Sequence, residues 1–299
     1  MSAFGMPEEE LFASGHRACA GCGSALAMRH SMKAAGKNTI VVQATGCMEV
    51  VSTPYPETSW QIPYIHAAFE NAAAVASGVR RALDAMGKKS INVVAFAGDG
   101  GTFDIGFQAL SGAAERKERI CYICNENGAY ANTGMQRSGA TPQYASTTTS
   151  PAGKVIHGKT EPKKPMPLIM AAHGCYVATA NVAFPQDLIS KVKKALTKPY
   201  TSYIQVFCPC TPGWDIASSS TINVAKLAFE TKTAPLFEVE DGILKFTKKP
   251  GVFKPVNSYL ALQGRFRHLN DKEIADIQRW VNEEYEKLLK LEETGVKLS

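Results

Sequence analysis

The run Val93-Val94-Ala95-Phe96-Ala97 stops abruptly in Gly98-Asp99-Gly100-Gly101-Thr102. Apolar and β-branched residues in an unbroken run read as a strand buried on both faces. The glycines that follow leave backbone amides uncovered, and Asp99 sets a carboxylate among them, so the strand's carboxyl end can receive a phosphate and its metal. A strand of this kind needs a sheet covered by helices on both sides, which restricts the chain to an α/β architecture.

The flanking sequence supplies that sheet. A helix is expected over 24–35, a strand over 39–44, a helix over 70–86, the strand at 91–97, a helix over 104–116 and a strand over 120–124. Further on, a short helix over 168–172, a strand over 175–180, a helix over 187–196 and a last parallel strand over 203–207 continue the alternation. The succession predicts a doubly wound, mainly parallel sheet with right-handed crossovers, whose ligands bind at the strands' carboxyl ends. Cys47, Asp99 and Asn127 all fall at or just past such ends. The segment 54–63, with three prolines, Tyr55 and Trp60, reads as an ordered loop. Residues 138–167 lack apolar periodicity, and a loop of about 30 residues inside a compact domain is usually functional or part of an interface.

From about residue 221 the pattern changes. Leu236 to Phe246 alternates around Asp241-Gly242, a hairpin signal, and 271–291 reads as a charged amphipathic helix. We therefore expect residues 1–220 to form the ligand-binding domain and 221–299 to be a C-terminal extension packed on the core or on a partner. The first fifteen residues, with Glu8-Glu9-Glu10, read as a docking arm or a frayed lead.

Composition narrows the function classes. The 299 residues are 45% hydrophobic and 20% charged, ordinary for a folded soluble chain. The net charge of +6 lies in scattered lysine clusters rather than in a basic face interleaved with aromatics, so no nucleic-acid partner is expected. No leader pattern and no apolar run of about 18 residues is seen, so a cytoplasmic protein without a membrane span is expected. Eight cysteines in such a chain point to a metal site rather than a disulfide framework.

Gly-Asp-Gly-Gly on its own also reads as a tight turn. Its partner is Asn127, separated from Gly100 by 26 residues (101–126), enough for one helix and one strand. A carboxylate and an amide oxygen at neighbouring strand ends make a hard-oxygen site suited to Mg²⁺ shared with phosphates. Neither a Rossmann glycine pattern nor a Walker lysine is present.

Gly-Asp-Gly followed by this spacing and Asn is the thiamine diphosphate motif. With Gly15-His16-Arg17-Ala18-Cys19-Ala20-Gly21-Cys22, Ala44-Thr45-Gly46-Cys47-Met48-Glu49, the stretch 130–139, Cys210-Thr211-Pro212-Gly213-Trp214 and 262–268, the chain resembles the β subunits of the 2-oxoacid:ferredoxin oxidoreductases, most like the pyruvate type. The resemblance implies a diphosphate-binding fold that uses thiamine diphosphate, Mg²⁺ and a [4Fe–4S] cluster. It implies that Asp99, Asn127 and the Ala129 carbonyl ligate Mg²⁺, that Gly46, Cys47, Gly98, Gly100 and Gly101 also border the cofactor, and that Asn132 faces the substrate. One departure stands out: Asn125-Glu126-Asn127-Gly128 replaces the family's Tyr-Asp-Asn-Glu, which keeps the metal amide but changes its neighbours.

The cysteines sort against this background. Cys19 and Cys22 form a Cys-x₂-Cys loop able to reach one metal or cluster, zinc being the rival occupant. Cys121 and Cys124 share that spacing but lie within a strand, where they face opposite ways, so both are expected in the core. Cys175 is read likewise. Cys47 and one of Cys208 or Cys210 complete four thiolates, and the family's ligand immediately before the Gly-Trp turn selects Cys210. His16 is expected either to donate a hydrogen bond to the cluster or cofactor or to be structural, His66 and His173 to be packing residues, Trp60 to anchor its loop, and Arg137 to bind an anion or join a surface ion pair.

The implied reaction is oxidative decarboxylation of a 2-oxoacid, pyruvate first, with CoA to acyl-CoA and CO₂, electrons leaving through the cluster to ferredoxin. Alternatives are the same chemistry on oxalate, a branched-chain 2-oxoacid or an aryl glyoxylate, or a non-catalytic zinc-binding flavodoxin-like protein. The resemblance also implies an α subunit bearing the pyrimidine-binding domain, and further ferredoxin-like and CoA-related subunits.

Overall fold

In the computed structural model, which describes residues 6–153 and 158–299, eight strands form one sheet. Residues 1–5 of the acidic lead and 154–157 of the long loop lie outside the described residues. In chain order the elements of the first half are α1 (Gly23–Ala35), β1 (Thr39–Ala44), α2 (Cys47–Ser52), β2 (Tyr64–Ala67), α3 (Ala72–Ala85), β3 (Asn92–Gly98), α4 (Phe107–Glu115) and β4 (Cys121–Glu126). Then follow α5 (Met166–Ala172), β5 (Tyr176–Asn181), α6 (Pro185–Leu196), β6 (Ser202–Phe207), α7 (Thr211–Trp214), α8 (Thr221–Glu230), β7 (Leu236–Glu240), β8 (Ile243–Lys248), α9 (Asn257–Leu260) and α10 (Asp271–Thr294).

The strand order is β2-β1-β3-β4-β6-β5-β7-β8, parallel through β5 and antiparallel at the last two strands. Strand alternation splits the core into two layers. Val41, Val94, Phe96, Cys121 and Ile123 face α1, α6 and α8, while Val42, Val93, Ala95, Tyr122 and Cys124 face α3, α4 and α5. Cys121 and Cys124 thus point to opposite faces and are both buried, as their spacing in a strand requires. Cys175 is buried just before β5.

Residues beyond 220 are tied into the same sheet. β7 pairs with β5, and Asp241-Gly242 turns the chain with both residues at positive φ, the mirror-image turn that matches strand twist. α10 starts on a capping box in which Asn270 accepts from the Glu273 N–H and Glu273 accepts from the Asn270 N–H, worth about 1 kcal/mol over an alanine cap.

The crevice follows from strand order. The chain leaves β1 on one side to make β2, then crosses back through α3 to β3, so the connections diverge between β1 and β3, where open α/β sheets bind ligands. Short elements escaped the sequence reading: α2, β2 and α8 were not expected. A π-helical turn over Gly101–Ile105 occupies the start of the expected helix at 104–116, so α4 begins only at Phe107. Such turns often accompany functional sites.

Candidate active site

The carboxyl ends of β1, β3 and β4 line one cleft of roughly 630 Å³, counted to its open mouth. Thr45, Gly46 and Cys47 border it from the β1 side, Gly98, Gly100 and Gly101 from β3, and Asn127, Ala129 and Asn132 from the turn after β4. Gly46 and Gly98 matter because of what they leave out: a Cβ on either would meet no heavy atom within 4 Å, so both open onto free space. At Gly100 the reason is different. A Cβ there would lie 2.6 Å from the Tyr130 ring, so glycine lets that ring close against the turn.

Asp99 lies beneath the cleft floor, between the lining residues Gly98 and Gly100. It is fully buried, with Oδ1 accepting from the Asn127 N–H at 3.1 Å and Oδ2 accepting from the Ser138 hydroxyl. Burial pushes its carboxyl up to about 7, with the Ser138 and Asn127 hydrogen bonds opposing and Glu126 adding a like charge. No cation among the described residues offsets that cost, so the site favours a bound divalent ion. Asn127 turns its Oδ1 toward the Ala129 N–H at 3.1 Å and its carbonyl toward Trp214 Nε1 at 2.7 Å, so the turn is fixed from two sides.

The loop 138–167 reaches this floor. Besides Ser138, Thr141 Oγ1 donates to the Gly128 carbonyl at 2.7 Å, and buried Lys159 donates to the Thr141 carbonyl at 2.6 Å. Asp104 accepts from the Gly139 N–H at 2.8 Å and from Tyr130 Oη at 3.3 Å. Ser138, Thr141, Asp104 and Tyr130 were given no role from the sequence; the aperiodic polarity of 138–167 pointed toward function for Ser138 and Thr141, and Tyr130 and Ser138 lie in the stretch 130–139 that carries the family resemblance.

Gln43 and Asn125 were likewise missed. Both line the cleft, are 2% and 3% exposed, and leave a carbonyl oxygen without a partner in the protein. A buried acceptor costs about 1–3 kcal/mol when unsatisfied, which favours a ligand or water that supplies donors. Thiamine diphosphate with Mg²⁺ therefore fits: free space at Gly46 and Gly98, an uncompensated carboxylate at Asp99, and unfilled acceptors beside them.

Four cysteines gather next to the cleft. Burial pushes the Cys47 thiol up to about 12, and the thiols of Cys210, Cys22 and Cys19 each add to that rise. The Cys210 thiol is likewise raised to about 11, first by burial and then by Cys22 and Cys19. Thiols that oppose one another's ionisation need a cation or cluster to carry their thiolates. All eight cysteines are free. Cys208, the rival fourth member, is fully buried and its Sγ donates to the Val206 carbonyl at 3.1 Å. Close backbone passage makes the cysteine loop possible: a Cβ at Gly23 would lie 2.8 Å from the Pro209 carbonyl oxygen. Among the described residues no three His, Cys, Asp or Glu side chains are drawn together closely enough to hold a metal ion as they stand.

The remaining predicted residues separate. Trp60 anchors its loop, donating to Ser52 Oγ at 3.0 Å and stacking on Tyr64. His16 stacks on Phe12 and accepts from the Ala18 N–H at 3.4 Å, a local role. His173 lies 3.3 Å from Ser111 Oγ. His66 is not a packing residue: it is exposed at the cleft's edge, 2.6 Å from Thr45 Oγ1 and 3.7 Å from Glu49, because β2 is a short edge strand. Arg137 is exposed, and no anionic partner for it is seen among the described residues.

Residues 44–206 match the family model of the thiamine pyrophosphate enzyme, C-terminal TPP binding domain. The chain is 56% identical over 278 residues to the pyruvate synthase subunit PorB of Methanothermobacter thermautotrophicus, covering 93% of this chain and 96% of that one. The chain belongs to the β subunits of the thiamine diphosphate-dependent 2-oxoacid:ferredoxin oxidoreductases. This β subunit is also 46% identical to PorB of Thermotoga maritima, over 93% of this chain and 91% of that one. It is 44% identical to the ketoisovalerate oxidoreductase subunit VorB of Pyrococcus abyssi, over 96% and 95% of the two chains. The 2-oxoglutarate:ferredoxin oxidoreductase of Magnetococcus marinus shares the β subunit's fold, with a TM-score of 0.61, 23% identity and 75% of each chain covered. No helix among the described residues is long and apolar enough to cross a membrane.

Proposed function

We propose that this chain is the β subunit of a pyruvate:ferredoxin oxidoreductase, which converts pyruvate and CoA to acetyl-CoA and CO₂ and passes two electrons through a [4Fe–4S] cluster to ferredoxin. The adjacency of the Asp99 cleft and the four-thiol group carries this reading, because the reaction needs a decarboxylation site beside an electron acceptor. Thiamine diphosphate supplies the electron sink for decarboxylation when bound. The chain's own residues do the rest: Asp99, Asn127 and the Ala129 carbonyl hold Mg²⁺, Gly46, Gly98, Gly100 and Gly101 admit the diphosphate, and Asn132 faces the substrate from the cleft's open side. Cys19, Cys22, Cys47 and Cys210 hold the cluster.

Pyruvate is favoured over a branched 2-oxoacid because identity to the pyruvate synthase subunits reaches 56%, against 44% for the ketoisovalerate subunits. The relatives are named as subunits, and this chain carries the diphosphate half of a thiamine site. An α subunit with the pyrimidine-binding domain and ferredoxin-like and CoA-related subunits complete the enzyme. We place the boundary between the cofactor-binding domain and its C-terminal extension near residue 220.

The test is the anaerobically purified complex with a panel of 2-oxoacids, CoA and a viologen dye. Pyruvate is expected to give the highest kcat/KM. Dye reduction by a branched-chain acid alone would reassign the substrate, and none with any acid, at full thiamine and iron content, would refute the activity.

A further inference from the structure

Arg265 is a buried cation with no carboxylate partner. It is 6% exposed, on the 3₁₀ turn Gly264–Phe266, and enters no ion pair among the described residues. Its Nε donates to Gln263 Oε1 at 2.9 Å and its Nη2 to Tyr259 Oη at 3.4 Å, both neutral acceptors. The carboxylate that acts on it through space, Glu126, is itself held by Lys163 Nζ at 2.9 Å and Gln205 Nε2 at 2.6 Å. A guanidinium stays charged in any protein, so one buried beside neutral groups alone costs several kcal/mol. An anion close by is the physical remedy.

The surroundings show which anion. The Arg265 guanidinium lies 3.9 Å over the Trp214 ring, and Trp214 closes the turn that starts at Cys210, its N–H donating to the Cys210 carbonyl at 2.9 Å. Burial raises the Cys210 thiol, and the Arg265 charge pulls the other way. The guanidinium also packs against Gly128, where a Cβ would lie 2.9 Å from Arg265 Nη1. Arg265 thus fills the space that a side chain at 128 would need.

We propose that Arg265 is a positioning residue for electron transfer: its unpaired charge faces the Cys210 side of the cluster and raises the cluster's reduction potential. This rests on the cluster reading above. A four-thiolate cluster carries net negative charge that grows on reduction, so a fixed cation at close range in a low dielectric favours the reduced form. Arg265 acts through Cys210 and touches no reacting atom.

The test uses the anaerobically purified complex, with the cluster's midpoint potential read by EPR-monitored redox titration and its signal identified as the one that a Cys210→Ser complex lacks. Arg265→Gln removes the charge, Arg265→Lys retains it, and Gln263→Glu leaves Arg265 in place but gives it a carboxylate on its Nε contact, at the loss of the Gln263 bond to the Tyr259 carbonyl. The midpoint is expected to fall in Arg265→Gln and Gln263→Glu and to stay near wild type in Arg265→Lys. If Arg265→Gln does not assemble, Gln263→Glu still decides. Full iron content with an unchanged midpoint in Gln263→Glu overturns the inference alone; a wild-type complex with no iron on this subunit overturns the cluster reading and the inference with it.

Discussion

The backbone N–H of Asn127 donates to Oδ1 of Asp99 at 3.1 Å, joining the ends of β4 and β3 through one buried carboxylate. Parallel pairing of Gly98 with Asn125 sets this contact, since it brings the two strand ends level. The same carboxylate is held by Ser138 from the long loop, so three separate segments meet at one side chain. Asp99 thus serves the fold and, in the function proposed above, the metal, and the two roles can be separated.

Asp99→Asn makes that separation. The amide is close in shape to the protonated carboxyl, keeps an oxygen for the Asn127 N–H and can donate to Ser138. Because folding raises the Asp99 pKa to about 7, the cofactor-free protein gains stability from its proton below the unfolded value near 3.8 and loses it as pH rises through 7. At pH 8 the Asn variant is therefore expected to be at least as heat-stable as wild type without cofactor, yet to bind thiamine diphosphate with Mg²⁺ at least ~100-fold more weakly, about 2.7 kcal/mol. Scanning calorimetry and equilibrium dialysis check the two halves.

Gly98→Val probes the free space proposed to admit the diphosphate. Valine suits a strand, and the Cβ meets nothing within 4 Å, so the melting temperature without cofactor is expected to change by under about 3 °C. Cofactor affinity is expected to drop at least ~10-fold. Gly100→Ala acts oppositely, destabilising the empty protein by about 1–3 kcal/mol through the Tyr130 ring.

The cysteines give a third outcome. Cys210→Ser is expected to lose the iron of this subunit, whereas Cys208→Ser, with its hydroxyl still able to donate to the Val206 carbonyl, and Cys124→Ala are expected to keep it. Cys124→Ala costs about 1–2 kcal/mol of stability through a small core void. Iron analysis after anaerobic reconstitution distinguishes them, and loss of iron in Cys208→Ser alone would transfer the fourth ligand to that residue.

Glu10 supplies a pH test away from the site. Arg29, bonding it at 2.9 and 2.6 Å, lowers its pKa to about 2, with Lys33 at 2.7 Å adding to the effect. Its contribution is present above about 4.5 and fades as pH falls toward 2, so Glu10→Gln should flatten the acid limb of the stability curve over that window. The carboxylate is about a third exposed, so screening keeps the difference near or below ~1 kcal/mol. Denaturant midpoints at pH 3 and pH 6 measure it.

How much of this was legible in the sequence depends on range. Strands such as β1, over 39–44, were readable to the residue because unbroken Ile-Val-Val runs have no other use in a small-residue α/β chain. Asp99, Asn127 and Cys47 were legible because strand-end position and spacing are properties of the chain itself. Strand alternation also separated Cys121 and Cys124 correctly despite a ligand-like spacing. What escaped is what only the third dimension assembles. Ser138 meets Asp99 across 39 residues, Gln43 and Asn125 become unsatisfied only once their strands flank β3, and His66 reaches Thr45 only because β2 pairs with β1. The short α2 has too few turns to show a period, and the π-turn at 101–105 delays a helix whose composition already looks helical at 104.

The central claim is that one chain sets a thiamine site beside its own iron–sulfur cluster. Its most direct measurement is rapid-freeze EPR of the anaerobic complex after mixing with pyruvate and CoA. A reduced-cluster signal that appears within one turnover, and is absent in both the Asp99→Asn and Cys210→Ser complexes, is the predicted result. Acetyl-CoA formation at the wild-type rate by the Cys210→Ser complex, with no cluster on this subunit, would contradict it.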